Sequence, residues 1–284
     1  MLYFAYGSNL NLDDYGLHFR AGLLRKVCKA WLPDHEIQFS RYSRGRKGGA
    51  LNLHASVGSV VPGMLFEVLG DGWEDLDKKE GHPGAYRRQS VFVLDEAGDE
   101  LAAITYIAAS DGFFPPDPAY VETVRSGMSD FDVDGATMVD LAAADQRRPS
   151  GVDGLFVYGT LLRGESRANH LQGAAASPAR TRGRLLDCGA YPGLVVGEGW
   201  VQGELVHLDA PERMLNDLDN VEGFRGFGVP GALFRRTLAQ VEVECLGSTL
   251  AWTYRYAAKG ETLPTLAGGS WRARGVATTN AALR

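Results

Sequence analysis

The chain has 284 residues, of which 45% are hydrophobic and 23% are charged, and its net charge at pH 7 is −6. This length predicts about two domains, the composition is typical of a soluble globular protein, and the negative charge disfavours a nucleic-acid partner. No run approaches the roughly 18 apolar residues of a membrane helix, and no basic leader or cleavable apolar segment opens the sequence, so we expect a cytoplasmic protein without a membrane partner.

Short apolar runs rich in β-branched and aromatic residues predict the strands of the first half. They cover residues 2–6, 60–68, 90–94 and 101–108. Two segments with helical periodicity, residues 120–127 and 136–144, predict helices that close the domain. Strands followed by late helices indicate an α+β fold.

A polar segment that contains Pro and Gly, residues 145–153, predicts the linker between two domains. The second half repeats the strand plan at residues 155–158, 200–208, 237–245 and 249–256, but has no closing helices. We therefore predict domains at residues 1–148 and 152–284.

The two halves repeat the same phrases in the same order. Phe-Ala-Tyr-Gly-Ser-Asn-Leu at residues 4–10 recurs as Phe-Val-Tyr-Gly-Thr-Leu-Leu at 156–162, and Leu-Asp-x-x-Glu-Gly at 76–81 recurs at 218–223. The tyrosines of the first phrase are 152 residues apart and the glutamates of the second are 142 apart. Conserved order with little drift in spacing indicates a duplicated domain, in which each copy has one glycine loop and one glutamate.

Glu80 and Glu222, the repeated glutamates, each end an apolar helical stripe. Trp73, Leu76 and Glu80 stand at i, i+3 and i+7, and the segment before Glu222 has the same pattern. The glycine after each glutamate sits where a helix C-terminal cap belongs, so burial and the negative helix end should both raise the carboxyl pKa. Such a group can accept and return a proton near neutral pH.

The structural alternative is a glutamate that turns to solvent or pairs with an arginine. Four arginines are available as partners, at 87, 88, 235 and 236. Recurrence of the glutamate at the same stripe position in both halves favours the site interpretation. Asp77 and Asp219 recur as well, but a short polar residue in a terminal helix turn ordinarily serves solvation, so we do not count them as candidates.

The Tyr-Gly-Ser/Thr turn that follows the first strand of each copy is the second candidate element. Its glycine allows a ligand to approach the backbone, and successive N–H groups there could bind a carboxylate or an oxyanion. Alone, this motif is more often only a turn. Ser8 is disfavoured as a nucleophile, because no Gly-x-Ser-x-Gly elbow surrounds it and its counterpart is Thr160.

A basic segment at residues 41–49 places four cations around one tyrosine and three glycines. It could hold a phosphate or a substrate carboxylate, although a solvated flexible loop is the ordinary interpretation of such a charge run. The three cysteines are odd in number and widely spaced, which is typical of a reducing compartment. The six histidines show no ligand spacing, so we expect no metal and no cofactor.

Together, the Tyr-Gly phrase, Gly-Ala-Leu-Asn-Leu at 49–53, Leu-Asp-x-x-Glu-Gly and Gly-Ala-Tyr-Arg-Arg at 84–88 make the first half resemble the γ-glutamylcyclotransferase family. The resemblance covers nearly all of residues 1–145. Residues 153–273 resemble the shorter γ-glutamylamine cyclotransferase branch, through their Tyr-Gly-Thr-Leu, Tyr-Pro-Gly-Leu-Val and Val-Gln-Gly-Glu-Leu phrases. The combination of loop and glutamate is specific to the superfamily, though not to a substrate.

The resemblance implies two small mixed β-barrels with flanking helices, each with a cavity between the Tyr-Gly loop and the glutamate. It implies release of 5-oxoproline from a small γ-glutamyl substrate, with Glu80 and Glu222 as acid/base residues. The residues expected to line the pockets are Tyr6, Gly7, Ser8, Asn9, Leu10 and Tyr86 in the first copy, and Tyr158, Gly159, Thr160 and Leu161 in the second.

Two other classes of function stay open at this point. One is a binding or scaffolding protein that keeps the cavity without turnover, and the other is a γ-glutamyl amide hydrolase or acyltransferase. The first copy has Asn9, Tyr86 and the basic segment, whereas the second has Leu161 and Phe234. Polar, cationic walls suit a leaving group that keeps its own carboxylate, and apolar walls suit an uncharged or cationic amine. We therefore expect the first domain to prefer γ-glutamyl amino acids or dipeptides and the second to prefer γ-glutamylamines. The leaving group and the oligomeric state are not determined by the sequence.

Overall fold

A computed structural model describes residues 1–12, 22–146, 152–244, 246–257 and 263–274. The chain divides into two compact units, Met1–Gly151 (unit 1) and Val152–Arg284 (unit 2). Residues 147–151 of the predicted linker, and residue 245 at the end of a predicted strand, lie outside the described residues. No helix in the described part of the chain is long and apolar enough to cross a membrane.

The described residues of unit 1 form a closed five-stranded barrel with three α-helices. Its strands are β1 (Leu2–Ala5), β2 (Leu24–Ser43), β3 (Gly48–Val68), β4 (Tyr86–Asp95) and β5 (Glu100–Ala108), arranged in the order β1-β3-β2-β4-β5. The first strand pairs antiparallel with β3 and parallel with β5, so the sheet is mixed. Helix α1 (Gly72–Glu80) connects β3 to β4, whereas α2 (Pro118–Asp130) and α3 (Ala136–Ala143) follow the barrel.

Unit 2 repeats this barrel. Its elements are β6 (Gly154–Val157), β7 (Ala176–Asp187), β8 (Pro192–His207), α4 (Pro211–Glu222), β9 (Phe234–Val243) and β10 (Gly247–Tyr256). The strands close in the order β6-β8-β7-β9-β10, which is the order of unit 1 strand for strand. The predicted α+β fold of two mixed barrels with flanking helices is therefore confirmed.

The sequence patterns did not reveal β2, β7 or the first halves of β3 and β8. Strand β7 alternates exposed arginines with the small buried residues Ala179, Thr181 and Gly183, so it lacks the large apolar residues that mark a strand. Strand β2 is interrupted by three register shifts, which break the two-residue alternation on which recognition depends.

One glycine in each barrel brings the Tyr-Gly strand close to its neighbour. A Cβ on Gly63 of β3 would lie 2.3 Å from the carbonyl oxygen of Ala5, and a Cβ on Gly203 of β8 would lie 2.2 Å from the carbonyl oxygen of Val157. Both distances are far below van der Waals contact with backbone that cannot rotate away. These glycines therefore fix the position of the strand that leads into each Tyr-Gly loop.

We predict that Gly63→Ala destabilises unit 1, because the new methyl group must push β1 away from β3. Forced overpacking of this kind costs about 1–3 kcal/mol, which should lower the urea midpoint measured by circular dichroism. Gly45→Ala is the matched control, since a Cβ there meets no atom within 4 Å. Equal midpoints for the two variants would contradict the close approach of the strands.

Candidate functional site

Unit 1 contains a cavity of about 450 Å³ between the Tyr-Gly loop and the end of α1, a size usual for small-molecule sites. Among the residues predicted to line it, Leu10 is fully buried in the core and is not part of the described cavity lining. The other predicted residues of this copy all line it, namely Tyr6, Gly7, Ser8, Asn9, Glu80 and Tyr86.

Helix α1 places Glu80 at the cavity wall. The helix has Glu74 and Asp75 in its first turn and two lysines in its last turn, which suits the helix dipole. It ends at Glu80 because Gly81 adopts a left-handed conformation with φ of 62°. In unit 2, α4 ends in the same way at Glu222, followed by Gly223 with φ of 72°.

The carboxyl group of Glu80 is both desolvated and held in place. Burial raises its pKa, and this effect outweighs the opposite effect of a hydrogen bond from Asn9. The Asn9 side-chain amide Nδ2 donates to Glu80 Oε1 at 2.6 Å and to the hydroxyl of Tyr3 at 2.5 Å. Asn9 therefore orients the carboxylate toward the Tyr-Gly loop while leaving its pKa above the ordinary glutamate value.

The Tyr-Gly loop itself is anchored to the barrel. The hydroxyl of Tyr6 donates to the carbonyl oxygen of Tyr106 at 2.9 Å, and Tyr158 makes the same bond to Tyr254 at 2.6 Å. After Gly7, residues Ser8–Leu10 form a 3₁₀ turn. The tyrosine hydroxyls thus fix the loop, whereas the oxyanion role of the loop N–H groups stays a prediction.

Asp77 and Asp219 have a structural role that the sequence analysis missed. In unit 1, Tyr106 donates to Asp77 Oδ1 at 2.7 Å, and Arg88 donates to both carboxylate oxygens at 2.8 Å. In unit 2, Tyr254 donates to Asp219 at 2.7 Å. These hydrogen bonds attach each helix to the barrel wall, so the prediction that the two aspartates only serve solvation was wrong.

The same contacts exclude the pairing of Glu80 with Arg88. That arginine is engaged by Asp77, and it also lies over the ring of Trp73, 4.6 Å from its centroid.

The neighbouring wall of the cavity is formed by Tyr86, whose hydroxyl donates to the carbonyl of Leu51 at 2.7 Å, and by Tyr120, which accepts from the Leu51 N–H at 3.3 Å.

The basic segment lines the cavity of unit 1 through Arg41, Arg44 and Arg46. Arg46 stacks on the ring of Tyr120, with its guanidinium carbon 4.1 Å from the centroid, and Arg41 lies 3.5 Å from Asp111. The interpretation of this segment as a loop that only faces solvent is therefore wrong.

Unit 2 retains its predicted pocket residues, but its cavity is much smaller than that of unit 1. Its cavity measures about 30 Å³, which is the volume of about one water molecule. Phe234 fills the wall, with its ring centroid 5.8 Å from that of Tyr191 and 5.6 Å from that of Tyr256. The predicted residues Tyr158, Gly159, Thr160, Leu161 and Glu222 all line this small cavity.

Glu222 is buried, and burial raises its pKa while nearby Arg167 acts in the opposite direction. Leu161 occupies the position of Asn9, so the amide that orients the first glutamate has no counterpart there.

A repeated Thr-Tyr pair could have been found in the sequence. Thr105 donates to the carbonyl of Phe4 at 2.9 Å and Thr253 to that of Phe156 at 3.0 Å, while the tyrosine that follows each threonine holds the aspartate.

Within the ranges described, no group of three His, Cys, Asp or Glu side chains is placed to hold a metal ion.

Comparison with known proteins agrees with the duplication of the domain. The family model described as gamma-glutamyl cyclotransferase, AIG2-like, matches residues 3–127 and again 155–273. The gamma-glutamylcyclotransferase of Homo sapiens is 30% identical over 132 residues, which cover 44% of this chain and 69% of that protein. The gamma-L-glutamyl-butirosin B gamma-glutamyl cyclotransferase of Niallia circulans is 38% identical over 105 residues, which cover 36% of this chain and 65% of that protein.

Among solved structures, one of a gamma-glutamyl cyclotransferase is 26% identical and covers 53% of this chain and 91% of its own, with a TM-score of 0.46. The family model matches most of the chain in two successive segments, one in each unit. The chain therefore belongs to the gamma-glutamyl cyclotransferase, AIG2-like family and carries its domain twice.

Proposed function

We propose that unit 1 is a γ-glutamylcyclotransferase that releases 5-oxoproline from a γ-glutamyl amide, with Glu80 as general acid/base. The observation that carries this proposal is the half-buried carboxyl group of Glu80, which faces a 450 Å³ cavity, has a raised pKa and is oriented by Asn9. Burial of a carboxylate is costly, and its placement beside a ligand-sized space is typical of a group selected for proton transfer.

The reaction needs little beyond positioning and one mobile proton. The α-amine of the glutamyl group attacks its own γ-carbonyl carbon, so that a new C–N bond closes the five-membered ring. The C–N bond to the leaving amine then breaks. Because nucleophile and electrophile belong to one molecule, a pocket that folds the chain supplies most of the proximity effect.

Glu80 would accept a proton from the attacking amine and deliver it to the departing nitrogen. Gly7 and Ser8, which line the cavity beside Glu80, would present backbone N–H groups to the oxyanion of the tetrahedral intermediate. The barrel holds these groups in fixed relative positions through Tyr106. Its carbonyl oxygen accepts a hydrogen bond from Tyr6, and its hydroxyl donates one to Asp77.

Unit 2 is proposed to contribute no turnover in its closed form. Glu222 is buried like an acid/base residue, but its cavity of about 30 Å³ does not admit a γ-glutamyl group. A γ-glutamylamine activity of this unit, with Glu222 as its catalytic residue, requires Phe234 and its aromatic neighbours to move apart.

Two isosteric variants of the full chain test the assignment. We predict that Glu80→Gln lowers kcat for 5-oxoproline formation by a factor on the order of 10²–10⁴, because an amide of the same shape cannot carry the proton. Glu222→Gln is the matched control in the other copy, and it should retain most of the activity. Near-normal turnover by Glu80→Gln, measured by mass spectrometry of the product, would remove the acid/base role.

The pH dependence gives an independent test. A general base must be ionised, so kcat/KM should fall as the pH drops through the raised pKa of Glu80, above the ordinary value of about 4.3. Asn9→Leu, which copies unit 2, removes a hydrogen bond that favours the carboxylate, and the acidic limb should move to still higher pH. An acidic limb that stays in place in Asn9→Leu contradicts the contact between these two side chains.

A further inference from the structure

The hairpin of β2 and β3 in unit 1 extends further past the Tyr-Gly loop than the hairpin of β7 and β8 in unit 2. A Cβ on Gly7 would contact Leu51 in β3, and a Cβ on Gly159 would contact Pro192 in β8, so Leu51 and Pro192 are equivalent. The β7–β8 ladder ends at Pro192, whereas the β2–β3 ladder continues for three residue pairs beyond Leu51. Among the described strands, this extension therefore occurs in unit 1 only.

The extension contains Tyr42, which pairs with Gly49 and lines the cavity of unit 1. Tyr42 is 46% exposed. Single exposed aromatic residues are common on protein surfaces and need no explanation, but this one is also part of a wall of a ligand-sized cavity. A side chain that borders both the cavity and solvent lies at the cavity mouth.

The ring of Tyr42 is supported by the segment that follows β5. It packs edge-to-face with Phe114 of that segment, with ring centroids 5.5 Å apart and an interplanar angle of 62°. The Phe114 N–H donates to the carbonyl oxygen of Phe39 at 2.9 Å, and a Cβ on Gly49 would lie 2.1 Å from the Phe114 carbonyl oxygen. Because the ring is already held by protein on one side, a ligand that packs on its exposed part has little ordering cost to overcome.

We propose that Tyr42 forms a leaving-group subsite of unit 1 and selects γ-glutamyl amides whose leaving group has an aromatic side chain. This inference rests on the proposed function and specifies its substrate class. The glutamyl part occupies the Tyr-Gly loop beside Glu80, which both copies share, and the leaving group extends toward the hairpin extension, where the copies differ. An aromatic leaving group packs on Tyr42 there, and ring pairs gain attraction beyond the burial of their area.

A matched pair of substrates isolates the aromatic contact. γ-Glutamylphenylalanine and γ-glutamylcyclohexylalanine are similar in size and apolar character, but only the first has an aromatic ring. We expect the full chain to form 5-oxoproline from the phenylalanine compound with a kcat/KM about fivefold higher, a factor typical of an aromatic pair. The difference should lie in KM with kcat unchanged, because Tyr42 contacts a part of the substrate that does not react.

Variants of two exposed aromatic residues make the test specific. Tyr42→Leu keeps an apolar side chain without a ring and should abolish the preference, whereas Tyr42→Phe keeps the ring and should retain it. Phe92→Leu is the matched control, since Phe92 of β4 is 38% exposed and is not part of the described cavity lining, and it should leave the preference intact. Binding of both compounds to Glu80→Gln, measured by calorimetry, should show the same order of affinity without turnover.

The outcomes separate the two proposals. If both compounds are converted with equal kcat/KM, or if Tyr42→Leu retains the full preference, the aromatic subsite is ruled out while the cyclotransferase assignment stands. If no γ-glutamyl compound yields 5-oxoproline, both proposals fail.

Discussion

The contact that the rest of the site depends on is the one between an aspartate and the barrel wall. Asp77 is three residues before Glu80, about one helical turn away, so the hydrogen bonds from Tyr106 and Arg88 to Asp77 also fix where Glu80 can lie. The carbonyl oxygen of the same tyrosine accepts a hydrogen bond from the hydroxyl of Tyr6. The helix and the Tyr-Gly loop are therefore both held by one residue of β5. This arrangement keeps a desolvated carboxylate, which would otherwise turn to water, against the cavity.

Because the domain is duplicated, the residues that both copies share can be compared with those that differ between the two cavities. Both copies retain the Tyr-Gly strand, the glutamate, the aspartate and the tyrosine that binds it, with hydrogen bonds of nearly the same length. What differs is the wall: Asn9 becomes Leu161, Tyr86 becomes Phe234, and Lys78 and Lys79 become Asn220 and Val221. The cavity volumes, about 450 and about 30 Å³, follow this difference. The barrel therefore preserves its architecture independently of whether it encloses a ligand-sized space.

Much of the fold and of the candidate site could be predicted from the sequence, because the residues that recur in both halves are those on which both domains depend. The Tyr-Gly phrase and the helix ending in Glu80 were recognisable from spacing alone, and the structure confirms the helix end with a left-handed Gly81. Strand β7 could not be predicted, because its inward residues are small and its outward residues are arginines. Cavity volume also escaped prediction, since it depends on how Phe234 packs against tyrosines from other segments. The role of Asp77 was missed because its partners, Arg88 and Tyr106, are separated from it in sequence.

The central claim is that Glu80 serves an intramolecular attack rather than the activation of water. The most direct test is to incubate the full chain with a set of γ-glutamyl amino acids in water enriched in ¹⁸O and to identify the products by mass spectrometry. Ring closure joins the substrate amine to its own carbonyl carbon, so the account predicts 5-oxoproline that contains no ¹⁸O from the solvent. Glutamate carrying ¹⁸O in its γ-carboxyl group, formed in place of 5-oxoproline, would contradict it and identify the reaction as hydrolysis.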